Sequence, residues 1–225
     1  MIKIGNVSKS YTSSLTVVKA INNVSLDIEM GQFISIAGPS GSGKSTLLNL
    51  IGCIDSVDSG NIEIEKVDVS SLDEKQRTTF RRNHLGFIFQ TYNLIPVLTA
   101  YENVSFALSL ISDDQNQIKE QSYQILKEVG LENLESRFPN QLSGGEQQRV
   151  AIARALVKNP KIILADEPTA NLDSKTGKGI LELMKKINQK YKTTFIFSTH
   201  DNMVMEQAER LVMLHDGMVV SDEKN

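Results

Sequence analysis

Four side chains in this sequence have the types and spacing for phosphate chemistry: Lys44, Ser45, Asp166 and Glu167. Lys44 and Ser45 close the run Gly38-Pro39-Ser40-Gly41-Ser42-Gly43-Lys44-Ser45-Thr46, which fits G-x-x-x-x-G-K-[ST] at every fixed position. The glycines let the backbone wrap closely around phosphate oxygens. The free N–H groups at the start of the following helix, with the positive end of its dipole, bind an anion. Lys44 is expected to reach the β- and γ-phosphates of a nucleoside triphosphate, and the Ser45 hydroxyl to ligate Mg²⁺. Asp166 follows four apolar residues and is expected to hold that Mg²⁺ through water. Glu167, beside it, is the candidate general base, because a carboxylate next to the triphosphate can orient the attacking water and accept its proton.

These groups need a framework that brings them together, and the pattern of apolar runs supplies one. Phe33–Ala37 leads into the glycine-rich loop, residues 86–89 lead to Gln90, residues 162–165 to Asp166 and Glu167, and residues 194–198 towards His200. Such runs read as buried strands with helical segments between several of them. In open α/β folds, ligand chemistry gathers at the carboxyl ends of parallel strands. Four strand ends carrying four polar groups therefore predict one site.

The stretch from about Thr99 to Asn159 differs, being helical in pattern with no good strand. Residues 101–108 form one helix candidate, and residues 118–129, closed by Gly130, form another. A third is opened by Ser143-Gly144-Gly145 and runs on from Glu146, ending near Asn159-Pro160 as proline demands. Ser or Gly at a helix start with an acid in the first turn marks an N-terminus, and so a second anion-binding helix end. Residues 211–220 read as a hairpin with an Asp216-Gly217 turn, after which no regulatory domain is expected. There is no internal repeat and no low-complexity segment.

Composition narrows the class. A length of 225 residues suits one α/β domain with a subdomain. A hydrophobic fraction of 40% and a charged fraction of 23% are ordinary for a globular protein, and a net charge of −3 argues against nucleic acid as a partner. Cys53 is the sole cysteine, which excludes an internal disulfide and fits a reducing compartment. It reads as a small apolar side chain at a helix end. No apolar stretch is long enough to cross a bilayer, and the N-terminus is not a signal peptide. A cytoplasmic location is therefore expected, with any membrane role exerted through a partner. His84 and His215 lack a chemical context, and Arg81-Arg82 read as a solvated face.

The octet Leu142-Ser143-Gly144-Gly145-Glu146-Gln147-Gln148-Arg149 resembles the signature motif of ABC-type ATPases. The resemblance runs from Ile2 to about Val220 in a complete order: Tyr11, the glycine-rich P-loop, Gln90, the octet, Asp166-Glu167, Asp173, His200. It implies an α/β P-loop NTPase with a RecA-like core, an N-terminal antiparallel β subdomain and an inserted α-helical subdomain. Residues 1–90 and 160–225 would form the catalytic lobe, and residues 91–159 the helical lobe. ATP and Mg²⁺ are the implied ligands. Tyr11 would stack on adenine, while Gly38, Pro39, Ser40, Gly41, Ser42, Gly43, Lys44, Ser45 and Thr46 hold the phosphates. Gln90 would reach Mg²⁺ or the attacking water, and the segment after it would meet a membrane partner. His200 would contact the γ-phosphate and position the water and Glu167.

Ser143, Gly144, Gly145 and Glu146 would contact the γ-phosphate held by the P-loop of another subunit, with Asp173 at the dimer seam. The implied assembly is a head-to-tail dimer of two copies, or of one copy and a paralogue. It would sit peripherally on an integral membrane permease at the inner face of the plasma membrane. Phe80-Arg81-Arg82, residues 86–96 and Glu102-Asn103-Val104 are similar to the lipoprotein-release, macrolide-export and antimicrobial-peptide-resistance branch. That branch implies export or extraction of a peptide, lipoprotein or antibiotic. The alternative is a non-transport signalling ATPase that controls an extracytoplasmic enzyme.

Two positions depart from the wider pattern. Ala170-Asn171-Leu172-Asp173 stands where the family often has Ser-Ala-Leu-Asp, and Glu65-Lys66 stands where relatives often have a glycine, which puts the shape of that hairpin in question. A chromosome-organising ATPase would share the octet but separate it from the P-loop by long coiled coils, and no sustained heptads lie between them here.

Overall fold

The computed structural model describes residues 1–12 and 16–224. Its centre is a six-stranded sheet in the order β10-β9-β3-β8-β7-β6. Strands β3 (Phe33–Ala37), β6 (Leu85–Ile88), β7 (Ile162–Asp166), β8 (Thr194–Thr199) and β9 (Arg210–His215) run parallel, and β10 (Met218–Lys224) closes one edge antiparallel to β9. The inner strands are buried on both faces, which is why they read as continuous apolar runs. Their period-2 alternation divides the interior into two cores. Phe33, Ile163, Ala165, Phe195 and Phe197 pack to one side, while Ile34, Ile36, Ile162, Leu164 and Ile196 pack to the other.

The second core is closed by α1 (Lys44–Ile51) and by a separate antiparallel sheet, β2-β1-β4-β5. That sheet comprises β1 (Ile2–Thr12), β2 (Val17–Ile28), β4 (Ser59–Ile64) and β5 (Val67–Asp68). Its β4–β5 turn keeps a tight hairpin shape without glycine: Glu65 and Lys66 both adopt left-handed backbone, with φ of 50° and 70°. The Lys161 ammonium holds the Glu65 carboxylate at 2.7 Å, which ties this turn to the segment before β7.

The first core is closed by helices. Between β6 and β7 the described chain holds α3 (Ala100–Ser109), α4 (Gln115–Glu128), a 3-10 turn (Pro139–Gln141) and α5 (Gly144–Leu156), and no strand. Thr99, Asp114 and Ser143 begin the three helices as side-chain caps, as their residue types dictate. Gly130, at φ 79°, turns the chain away after α4. Helix α6 (Ser174–Tyr191) completes this layer, and α7 (Asn202–Gln207) follows β8. The β9–β10 hairpin turns through Asp216 and Gly217, at φ of 48° and 75°, as the Asp-Gly pair predicts.

Helix α2 (Glu74–His84) has no fully buried residue; Arg82 is exposed, as a solvated face implies, but Arg81 is half-buried. Arg81 Nη1 donates to the Cys53 carbonyl at 2.6 Å, tying α2 to the end of α1. Cys53 is buried in a left-handed turn at φ 55°, and burial pushes its thiol up to about 11, which suits packing and not reactivity.

Candidate functional site

The strands β3, β6, β7 and β8 deliver their carboxyl-terminal loops to one cavity of about 680 Å³. Lys44, Ser45, Thr46, Gln90, Asp166, Glu167 and His200 line it, together with Pro39, Ser40, Gly41 and Gly43. Gly43 sits at φ 101°, and a Cβ there would run into the Ala20 carbonyl, so the sharp entry into α1 needs glycine. The Lys44 ammonium donates to the Gly38 and Pro39 carbonyls at 2.9 and 2.8 Å, which holds it over the loop. Ser42 is buried behind the lining.

Ser45 Oγ donates to Asp166 Oδ1 at 3.0 Å, across a separation that only the β3–β8–β7 pairing closes. With the Gln90 amide on the same wall, this is an oxygen donor set of the kind a hard cation takes. Among the described residues, no group of three or more His, Cys, Asp or Glu side chains could hold a metal. Few protein ligands, completed by phosphate and water oxygens, is the usual arrangement for Mg²⁺ beside a triphosphate.

Glu167 adopts left-handed backbone, φ 48°, although it is not glycine. Its N–H donates to the Ser198 carbonyl at 2.9 Å, so pairing with β8 maintains a conformation that costs about 1–3 kcal/mol by itself. Both carboxylate oxygens are held: Thr199 Oγ1 donates to Oε2 at 3.2 Å, and His200 Nδ1 lies 2.6 Å from Oε1. The Glu167 side chain is 14% exposed and that of His200 is 69%, so a sheltered carboxylate is held by an open imidazole. Thr169 Oγ1, one turn on, donates to Asp201 Oδ2 at 3.0 Å and joins the two loops again.

Tyr11 does not form part of the cavity wall. Its cross-strand partner Val18 does, along with Lys19, Ala20 and, from the β9–β10 turn, Asp216. The Tyr11 ring is exposed at the rim and its hydroxyl donates to Asp55 Oδ2 at 2.8 Å. Asp55 also accepts from Lys9 Nζ at 3.0 Å and from the Ser56 N–H at 2.7 Å, and the Lys9 ammonium lies 5.4 Å from the Tyr11 ring centroid. Burial alone would raise the Asp55 carboxyl, but the hydrogen bonds from Tyr11, Ser56 and Lys9 outweigh it and hold the group below the usual carboxylate range. Burial and then the Asp55 contact push the Tyr11 phenol up. No motif or spacing points to Lys9, Val18, Lys19, Ala20 or Asp55, and none places Asp216 at the site although its turn is predicted; they are brought here by β-sheet register, by the return of the chain after α1 and by the β9–β10 turn.

Ser143, Gly144, Gly145 and Glu146 are absent from this cavity. Ser143 caps α5: its hydroxyl accepts from the Glu146 N–H at 3.4 Å and donates to Glu146 Oε2 at 2.7 Å, while its own N–H donates to the same oxygen at 2.7 Å. These hydrogen bonds, the hydroxyl one foremost, hold the Glu146 carboxyl below its ordinary range. Asp173 caps α6, accepting from the Lys175 and Thr176 N–H groups at 3.1 Å. His84 packs on Phe80 with ring centroids 4.6 Å apart, and exposed His215 has only Asp216 at 3.3 Å; neither enters the site.

The family model for ABC transporters matches residues 21–170, a span that takes in the P-loop, Gln90, the octet, Asp166 and Glu167. The chain belongs to the ABC transporter family. It is an ABC ATPase, the ATP-binding and ATP-hydrolysing subunit of such a transporter. An uncharacterized ABC transporter ATP-binding protein of Methanocaldococcus jannaschii, MJ0796, is 48% identical over 228 residues, covering 100% of this chain and 97% of its own. The macrolide export ATP-binding/permease protein MacB of Bdellovibrio bacteriovorus is 44% identical over 224 residues, covering 100% of this ABC ATPase and 34% of MacB. The MJ0796 cassette, solved as a dimer in a post-hydrolysis state bound to ADP and Pi, matches with a TM-score of 0.92 at 46% identity, covering 100% of this chain and 98% of that one.

Proposed function

We propose that this ABC ATPase works as a head-to-tail pair, with each cavity holding one MgATP and each signature edge closing over the γ-phosphate bound by the other chain. One observation carries the reading. The cavity gathers Lys44, Ser45, Gln90, Asp166, Glu167 and His200, yet Ser143, Gly144, Gly145 and Glu146 lie outside it on the same chain. A complete set of reacting groups next to an incomplete phosphate cage is the arrangement a second copy would finish. The dimer of MJ0796 bound to ADP and Pi is a relative in which such a pair exists. Two copies of this chain suffice, since each carries every group, and a paralogue could replace one.

In this reading the P-loop residues Gly38 to Thr46 bind the phosphates and Tyr11 stacks on the adenine. Ser45, Asp166 and Gln90 hold Mg²⁺, which when bound neutralises charge on the phosphate oxygens. Glu167 takes the proton of the attacking water, His200 orients Glu167 and the γ-phosphate, and Lys44 stabilises the charge that develops. Asp173 lies at the seam between the copies. The partner beyond the dimer is an integral membrane permease at the cytoplasmic face of the plasma membrane, met by the segment after Gln90. Among the described residues no helix is long and apolar enough to cross a membrane. The relative MacB is named a macrolide export ATP-binding/permease protein, which supports coupling to a permease and export of a peptide, lipoprotein or antibiotic.

The test is Glu167→Gln. The variant keeps the hydrogen bonding of the side chain but not its basicity, so it should bind ATP and accumulate as an ATP-dependent dimer in light scattering. Turnover at the wild-type rate would remove Glu167 as the base, and a monomer at saturating MgATP would remove the shared site.

A further inference from the structure

Asn171 departs from the wider pattern in sequence, and its side chain makes a specific tie in the fold. Asn171 Nδ2 donates to the Gln90 carbonyl at 2.9 Å, and the Asn171 carbonyl accepts from Tyr92 Oη at 3.4 Å. One residue thus joins two loops from different strands: the segment after β6, which carries Gln90, and the segment after β7, which leads to Asp173. Both loops bear on the start of α5, where a Cβ on Gly144 would stand 3.0 Å from Tyr92 Oη and 3.5 Å from Leu172 Cδ2. Further along α5, the Arg154 guanidinium donates to the Tyr92 carbonyl at 2.6 Å and to the Asn93 carbonyl.

Tyr92 and Asn93 are both left-handed, at φ 61° and 49°. Non-glycine residues hold that conformation only where their surroundings impose it. The Arg154 side chain holds both of their carbonyls, and Asn171 Nδ2 anchors the Gln90 carbonyl just before them.

We infer that Asn171 is a positioning residue that ties the Gln90 backbone to the seam loop ending at Asp173. Movement of that loop, or of the adjoining Ser143 edge, is then passed to the Gln90 side chain in the cavity. The inference rests on the proposed role of Gln90 in metal and water chemistry.

The test compares Asn171→Ala, Asn171→Asp, Gln90→Ala and the Asn171→Ala/Gln90→Ala double variant in the full chain, by ATP binding at equilibrium and by steady-state hydrolysis. Asn171→Ala should lower kcat about fivefold, the value of one neutral hydrogen bond, with the ATP Kd unchanged. Asn171→Asp keeps the shape but loses the donor, so it should lower kcat at least as much. The Mn²⁺ concentration giving half-maximal rate should rise in Asn171→Ala, a shift that a loss of folding stability would not produce. In the Gln90→Ala background, adding Asn171→Ala should change kcat less than about twofold, because the effect runs through Gln90. Wild-type kcat in Asn171→Asp would overturn the inference, as would the full loss persisting without the Gln90 side chain. A Gln90→Ala chain with normal kcat would instead overturn the role of Gln90 itself, and the inference with it.

Discussion

The cavity and the Ser143 edge, the two surfaces of the proposed shared site, are built in opposite ways. The cavity is assembled by long-range pairing. Its groups come from four strand ends, are held by one another across the sheet, and include a left-handed Glu167 that only β8 keeps in place. The Ser143 edge is assembled locally. Ser143 and Glu146 satisfy each other within one helical turn, and Asp173 does the same for α6. The first surface is organised by contacts among its own residues. The second is a self-capped helix end whose only remaining capacity is its free N–H groups and dipole. In the proposed pair, each site would take its chemistry from one chain and its closure from the other.

The widest break between the two surfaces comes from removing one and leaving the other. Glu167→Gln should cut hydrolysis roughly a hundredfold or more, measured by phosphate release, while sparing dimer closure. Gly145→Ala should do the reverse. A Cβ there would lie 2.6 Å from Thr176 Cγ2, so either the Thr176 side chain or the start of α5 must give way, and displacement of the edge is the expected result. Turnover should fall up to about a hundredfold while ATP binding to the P-loop stays normal, and the Gly145→Ala/Glu167→Gln double variant should lose the ATP-dependent dimer.

A smaller effect sharpens the cavity side alone. Asp55→Ala frees the Tyr11 hydroxyl and leaves Lys9 only its contacts with Asp58 and the Ser56 carbonyl, so the KM for ATP should rise by about three- to tenfold with kcat nearly unchanged. Discrimination between ATP and GTP should weaken with it, and a change confined to kcat would deny Tyr11 and Asp55 a place in base recognition.

The smallest effect concerns the join between the two surfaces. Lys158, just past α5, donates to the Arg82 and Leu85 carbonyls at 2.7 and 3.1 Å and so links the signature helix to the strand that feeds Gln90. Burial, then the charges of Arg81 and Arg82, push its ammonium down to about 8. The folded chain therefore loses this proton before the unfolded chain, whose lysines titrate near 10.4. The stability due to Lys158 is lowest below pH 8 and rises between pH 8 and about 10.4. Urea midpoints for Lys158→Met should lack that rise, a difference of about 1–2 kcal/mol after allowance for partial exposure.

Much of the cavity is legible in the sequence because its members sit at strand ends inside local patterns. The P-loop, Asp166-Glu167 and His200 each follow an apolar run, and a buried parallel strand leaves that trace whatever lies around it. Helices α3, α4 and α5 are legible for the same reason, through caps and breaks a few residues apart. Lys9, Asp55 and Asp216 leave no such trace. They meet the site through β1–β2 register, the loop after α1 and the β9–β10 turn, none of which has a period to read. Arg81 misleads for a related reason, since a charged pair before a strand looks solvated until the Cys53 carbonyl is placed against it. The Glu65-Lys66 turn shows that a missing glycine changes the cost of a hairpin without changing its shape.

The sequence by itself determined the reaction class, and the resemblance of its octet implied a second half-site. The first rests on short-range chemistry: which residue types stand at a strand end or a helix start, and at what spacing. Only the tertiary structure decided how the halves are connected. The ties Asn171–Gln90, Arg154–Tyr92, Ser45–Asp166 and Tyr11–Asp55 each join residues distant in sequence. Sheet order and register set those distances, and no local window contains them.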